Sequence, residues 1–414
     1  MRFKMTTVAL GLASVFVLAC AAQNAKLKVL HSFGSTGDGS VPYGPPLLDS
    51  KGNLFGVTAN GGTGACSDYG CGTAYELSAQ TGGVWSEKIL HSFAAGSDGE
   101  APWGGPLLDS SGNLYGTLHG SGSYAVSGVF KLTPGSSGWS NTILYDVYSG
   151  PGLVFDKVGN LYGSMGGGSA SLGAVGELSP GSSGWSYNEL YSFCPLYGCA
   201  DGWGEPAPPI WDKKGNLWGT TAYGGISQSP CTYNQGCGVV FEMTPNGAGA
   251  WTYNVVHQFA SSATDGQFPS GGLVMDAAGN FYGNTSQGGA YNLGTVFKLA
   301  FSSTLGQWVE TILYDFPNCA ESCGPVGTLA IDKKGNLFGT ADGGISNCGG
   351  FTCGDVFKMA PQGNGTRKFT VLHKFNLTDG AYPLGLIHDG NGNLFGTTMD
   401  GGTYNAGTAF EITP

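Results

Sequence analysis

Asp49-Ser50-Lys51-Gly52-Asn53-Leu54-Phe55-Gly56 decides the reading of this chain, because its core returns seven times. Gly-Asn, then Leu or Phe, then an aromatic residue and Gly, recurs with its asparagine at Asn53, Asn113, Asn160, Asn216, Asn280, Asn336 and Asn393. The intervals run from 47 to 64 residues. A short apolar run ending in aspartate precedes each copy, as in Pro46-Leu47-Leu48-Asp49. A glycine-rich stretch and a third run follow, such as Thr295-Val296-Phe297-Lys298-Leu299, then a fourth that starts near tryptophan and ends in a Leu-His-Ser-Phe-like string. Each run is four to eight residues, rich in β-branched and aromatic types, and bounded by Gly, Pro, Asp or Ser, which reads as a strand. Four strands repeated seven times predict an all-β, seven-bladed propeller of four-stranded antiparallel blades. A solenoid is the rival, but solenoid coils are usually shorter than these units.

The ends of the chain fit a closed ring. The fourth-strand motif occurs at His31, His91, Tyr145, Tyr191, His257, Tyr314 and His373, so the first copy precedes the first complete unit. The last unit stops after its third strand at Glu411-Ile412-Thr413-Pro414. The N-terminal strand, Lys26 to Phe33, is therefore expected to complete the last blade and close a single domain spanning 26–414, leaving no open sheet edge there.

The repeat Asp-x-x-Gly-Asn-Leu-(Phe/Tyr)-Gly-Thr with its trailing Gly-Gly, followed by Gly-(Thr/Val)-(Val/Ala)-Phe-(Lys/Glu), resembles the GloVer tandem repeat. The resemblance covers nearly the whole chain after its first residues. It implies an exported protein carrying one of several alternative surface anchors, of the choice-of-anchor type, and it implies no particular activity. Two units depart from the pattern. The third is the shortest and has Val175-Gly176 where others place an aromatic, and the sixth lacks the Asp-Gly before its first strand.

Arg2 and Lys4 followed by the apolar run Val8 to Leu18 read as a signal peptide over 1–19, too short for a membrane span. Val17-Leu18-Ala19-Cys20 resembles a lipobox, with Cys20 acylated and 20–25 serving as an anchor linker. Ordinary cleavage at the small-residue triplet Ala19-Cys20-Ala21 is the alternative. Cysteine arithmetic favours the lipobox. Ten of the 11 cysteines fall into close pairs: Cys66 with Cys71, Cys194 with Cys199, Cys231 with Cys237, Cys319 with Cys323, and Cys348 with Cys353. Cys20 is the one left over. Such pairs fit local disulfides in an oxidising compartment. The expected location is the outer membrane or cell surface as a lipoprotein, or the periplasm or medium if Cys20 is not acylated. With 28 acidic residues against 15 basic ones after the signal, the chain suits neither nucleic acid nor an anionic lipid surface, so membrane contact is expected only through the anchor.

Few residues carry chemistry by type and spacing. The Asp-x-x-Gly-Asn stretch reads as a hairpin turn rather than a calcium loop, since no ladder of further acidic ligands accompanies it. The fourth-strand histidines sit on different blades and exchange with tyrosine, so no metal site and no cofactor is expected. Candidate ligand contacts lie in the loops leading into each first strand: Asp38 with Tyr43, Asp98 with Trp103, Asp201 with Trp203, Asp265 with Phe268, and Asp379 with Tyr382. These loops share a face with those joining strands two and three, and every cysteine pair falls in one of the two loop types. The stapled face is therefore expected to bind an extracellular glycan or peptide, as a monomer. No nucleophile elbow, phosphate loop or catalytic triad appears, so no catalytic residue is assigned. The alternative is a polysaccharide-active enzyme, a glycoside hydrolase or lyase using carboxylates at the mouth.

Overall fold

The computed structural model describes residues 25–414 except 65, 67–68, 121–126, 169–171, 195–197, 205–206, 226–230, 232–235, 248, 261, 345–347, 349–351 and 364. The signal segment and Cys20 lie outside the described residues. Seven antiparallel sheets stand around one axis, and blades are numbered here by their Gly-Asn repeat. Blade 2 shows the plan: Pro102–Leu108 innermost, then Leu114–Leu118, Gly128–Gly135 and, outermost, Gly138–Asp146. In blade 7 the outermost place is taken by Lys26–Ser32, paired with Thr408–Thr413 from Lys26 opposite Thr413 to Ser32 opposite Thr408. The expected closure is thus the observed one.

The repeat motif has a packing cause. Second strands such as those of blades 2, 3, 4 and 6 are buried along their whole length, because both faces meet neighbouring blades. In six blades the Gly that ends the Gly-Asn-Leu-aromatic-Gly string lies under the aromatic ring of the third strand. A β-carbon on Gly116 would stand 2.6 Å from the Phe130 ring, and one on Gly339 would stand 2.4 Å from Phe357. Blade 3 has Gly176 in place of that ring. Tyr187 of its outermost strand fills the vacancy, with its ring 2.5 Å from where a Gly176 β-carbon would be and its hydroxyl donating to the Met165 carbonyl. The odd unit is therefore repacked from the next strand rather than left hollow.

Seven hydrophobic clusters each draw on two adjacent blades, so the core is distributed along the seams. At the axis the inner strands touch through small residues. A β-carbon on Gly44 would meet Gly104, one on Gly104 would meet Pro151, and one on Gly152 would meet Pro208. The Asp-x-x-Gly-Asn stretches are turns: Asp49 accepts from the backbone of Lys51 and Asn53 and from the Asn53 amide, and Asp109, Asp212 and Asp332 do the same in their blades. These turns and the hairpins between third and fourth strands form one face of the ring. The long loops form the other.

Candidate functional site

Five disulfides lie on the long-loop face, and they are the five expected ones: Cys66 to Cys71, Cys194 to Cys199, Cys231 to Cys237, Cys319 to Cys323, and Cys348 to Cys353. They serve the backbone rather than a ligand. Cys199 is buried, and its carbonyl accepts from the Gly202 and Gly225 N–H groups, which ties two loops together. Cys323 is buried in the seam cluster that holds Phe316 and Val296, while its partner Cys319 accepts from the Gly344 N–H.

The same face is held by a repeated bond between blades. In six of the seven blades a residue in the approach to the inner strand donates its N–H to the carbonyl two residues before the third strand of the previous blade. The pairs are Val41 to Ala406, Ala101 to Cys71, Gly204 to Leu172, Phe268 to Cys237, Gly324 to Leu293 and Tyr382 to Cys353. The donors have positive φ, including Val41 at 57°, Phe268 at 57° and Tyr382 at 58°. For the β-branched Val41, immediately before proline, that conformation is disfavoured. Three of the six accepting carbonyls belong to disulfide cysteines, so the staples fix the points on which this backbone strain is hung.

The five candidate aspartates point inward. Asp38 accepts from the Gly34 and Gly39 N–H groups and meets His31 at 3.0 Å; Asp98 meets His91 at 3.0 Å and Asp379 meets His373 at 3.0 Å. Asp201 accepts from the Tyr191 hydroxyl and the Cys194 N–H, and Asp265 from the Gly266 N–H. Each aspartate thus joins the fourth-strand His or Tyr of its predecessor blade into a corner, and that pairing was not read from the sequence. The ring's other side lies edge-on to a buried Phe two residues on, as with His31 and Phe33 at 4.7 Å.

The candidate aromatics occupy three different register positions, and four of the five form an arc over the loop face. Tyr43 lies 5.9 Å from Trp103, Trp103 lies 4.7 Å from His119, and His119 lies 6.0 Å from Tyr148. Trp203 lies 4.7 Å from Tyr223, which lies 5.9 Å from Phe268. The Trp103 indole N–H donates to the Ser149 carbonyl, which fixes its ring. Between the two halves of the arc opens a cavity of about 700 Å³, lined by Tyr148, Leu172, Trp203, Ala222, Tyr223 and backbone glycines. Among the described residues no charged side chain lines it. Tyr382 stands apart, in blade 7. Tyr148, Tyr223 and His119 were missed in the sequence, although Tyr223-Gly224-Gly225 carries the Gly-Gly signature of the loops.

Two other cavities bear on function. The axial one, about 550 Å³, is lined by residues from all seven blades, mostly Gly, Pro and Leu, with no carboxylate among the described residues. On the turn face a cavity of about 440 Å³ lies between blades 4 and 5, lined by Asp212, Lys213, Lys214, Glu242, Phe301 and Trp308. Carboxylates also gather in blades 6 and 7 of the loop face. Burial pushes Asp342 up to about 6 and Asp355 up to about 7. Burial first, then the charges of Asp400 and Asp342, raise the Tyr382 phenol.

The model of the Gloeobacter/Verrucomicrobia repeat matches residues 6–233 and 205–414. No curated protein matches the chain by sequence. Among solved structures, the extracellular domain of a putative one-component system from B. thetaiotaomicron is similar, at 12% identity and a TM-score of 0.54, over 94% of this chain and 40% of that one. A protein from Lactobacillus plantarum is similar at 11% identity and a TM-score of 0.51, over 87% of this chain and 99% of that one. The PQQ-bound aldose sugar dehydrogenase from Streptomyces coelicolor aligns over 94% and 98% of the two chains at 12% identity, with a TM-score of 0.46. At these identities the likeness concerns the fold alone.

Proposed function

The chain belongs to the Gloeobacter/Verrucomicrobia repeat family, and from that premise and the geometry above we propose that it is an exported, surface-anchored binding propeller whose long-loop face holds a neutral glycan or peptide. The observation that carries the reading is the cavity between Tyr148 and the Trp203/Tyr223 pair. Its size suits one or two sugar rings. Aromatic faces supply apolar area for the C–H side of a pyranose, while backbone glycines expose N–H and C=O groups to its hydroxyls. The uncharged lining fits a neutral ligand, and the disulfides reduce the ordering entropy that loops otherwise lose on contact. Export and anchoring rest on the basic and apolar start of the chain with Cys20 after it. Among the described residues no helix is long and apolar enough to cross a membrane.

One observation favours a second reading, a polysaccharide-active enzyme. Asp342, pushed up to about 6 by burial, has the character of a general acid, and Asp400 lies close enough to share its influence on Tyr382. A glycan array run beside reducing-sugar release separates the two. The binding reading expects retention of a neutral glycan that falls on the order of tenfold or more in Trp203→Ala and Tyr223→Ala, with the ring still folded. Turnover of a polysaccharide, abolished by Asp342→Asn while retention persists, would establish the enzyme.

A further inference from the structure

The outermost strands of adjacent blades meet at two fixed positions, and the residues there come in matched sets. Where the fourth-strand residue is tyrosine, its partner is aromatic: Tyr145 with Tyr187, Tyr191 with Tyr253, and Tyr314 with Phe369. Where it is histidine, the partner is Asn141 beside His91 and Asp98, and Leu27 in the seam of His373. In two seams, however, the partner is glutamate. His31, Asp38 and Glu87 converge between blades 7 and 1, and His257, Asp265 and Glu310 converge between blades 4 and 5.

In the Asn141 seam the amide supplies the missing donor, giving both its bonds to Asp98, although its own Oδ1 is closed to solvent without a partner. The glutamate seams are short of donors. Each sets two carboxyl groups and one imidazole nitrogen together, and the imidazole can donate one proton to two acceptors. Glu87 Oε1, Glu310 Oε1 and His257 Nε2 are closed to solvent and have no hydrogen-bond partner. The two aspartates are almost wholly buried, with side chains 3% and 2% exposed. A buried cluster short of positive charge and short of donors, built twice on the same scaffold positions, has the chemistry of a metal site.

The spacing fits. Metal–nitrogen and metal–oxygen bonds of about 2.1 Å put neighbouring ligand atoms about 3.0–3.4 Å apart at octahedral or tetrahedral angles. His31 Nε2 lies 3.0 Å from Asp38 Oδ2 and 3.5 Å from Glu87 Oε2. His257 Nε2 lies 3.4 Å from Asp265 Oδ2 and 3.5 Å from Glu310 Oε2. All ligand atoms within each set lie within 4.8 Å of one another. Asp38 also borders an open, glycine-lined cavity of about 470 Å³ on the loop face, which gives an ion a route in.

We propose that the seams between blades 7 and 1 and between blades 4 and 5 each bind one divalent transition-metal ion through a His–Asp–Glu set. One imidazole with two carboxylates suits zinc, cobalt or manganese better than an all-oxygen calcium site. The ion clamps the ring at its closing seam and again at a seam three blades away. The proposal stands apart from the glycan reading, since neither set lines the aromatic cavity.

The test is titration of the metal-stripped full chain with Co²⁺, followed by visible absorption, and with Zn²⁺ by calorimetry. Two ions per chain are expected. Glu87→Gln and Glu310→Gln should each halve the stoichiometry, the double substitution should abolish it, and His91→Ala should leave it at two. Thermal melts should show Zn²⁺ raising the transition of the parent chain and not of the double variant. No saturable uptake, or uptake indifferent to both glutamate substitutions, overturns the proposal. Loss in only one single variant overturns the assignment of the other seam.

Discussion

The seam between blades 3 and 4 and the seam between blades 4 and 5 use the same pair of backbone positions for opposite chemistry. In the first, Tyr191 and Tyr253 stack at 3.9 Å and 7°, and the Tyr253 hydroxyl donates to the Asp201 carbonyl. In the second, His257 faces Asp265 and Glu310. The difference shows that the repeat fixes geometry and leaves chemistry free, provided both sides of a seam change together. A tyrosine facing a glutamate, or a histidine facing a stacked ring, occurs in none of the seven.

Breaking the aromatic seam should have the largest effect. Tyr253→Ala removes the stacked ring and its packing on Phe193 and Phe241, and should cost about 3–5 kcal/mol in chemical denaturation. A loss below about 1 kcal/mol would mean that the two rings carry little of the seam.

A smaller effect extends the comparison to the inner part of the sheet. Blades 1, 5 and 7 pair hydroxyls at the start of the third strand, Thr58 with Thr73, Thr285 with Thr295 and Thr398 with Thr408, each at 2.9 Å. Blade 6 has Ala341 opposite Asp355, whose Oδ1 accepts from Ser322 while Oδ2 has no partner. Burial raises this carboxyl to about 7, above its value near 3.8 in an unfolded chain. Between those values the folded chain keeps a proton that the unfolded chain has lost, so stability falls as pH rises through that window. Asp355→Asn should therefore be more stable than the parent at about pH 8, on the order of 2 kcal/mol, with the advantage gone at about pH 4. Parallel denaturation curves that stay the same distance apart at both pH values would refute this.

The smallest effect should come from converting one glutamate seam to the apolar kind. With chelator present, Glu310→Leu copies the place that Leu27 holds in the seam of His373, and should raise stability by about 1 kcal/mol by removing a buried carboxyl. A thermal transition lowered under those conditions would show that the glutamate supports the seam without metal.

Blade number, strand order, ring closure and cysteine pairing were legible because each repeats or is local in sequence. Cys319 and Cys323, for instance, are four residues apart, and a bridge that short needs no knowledge of the fold. The Asp-x-x-Gly-Asn turn was legible for the same reason, since all its bonds lie within five residues. The aromatic cavity was only partly legible. Of the candidate aromatics only Trp203 lines the cavity on the loop face; Tyr148 and Tyr223 line it with Trp203, and Tyr148 comes from the blade whose loop departs from the repeat. The aspartates were read with the aromatics next to them in sequence, whereas each is turned toward a His or Tyr of the preceding outer strand. Seam partners such as His31 and Glu87 lie 56 residues apart, and one chain's repeat pattern shows that both positions vary without showing that they touch.

The closing strand also sets a direction. Lys26 pairs with Thr413 at the end of the blade where the Asp389 turn lies, and the strand then runs toward the loop face to reach Ser32 and Phe33. Whatever holds the polypeptide ahead of Lys26 therefore pulls on the rim of the turn face. A tether at Cys20 would seat the ring on that side like a disc on its stem, with the disulfide-bound loops and their aromatic arc turned away from the bilayer. Tension on that tether would act on a strand that zips to Thr408–Thr413 alone in its own sheet, making blade 7 the place where the ring would first be peeled open.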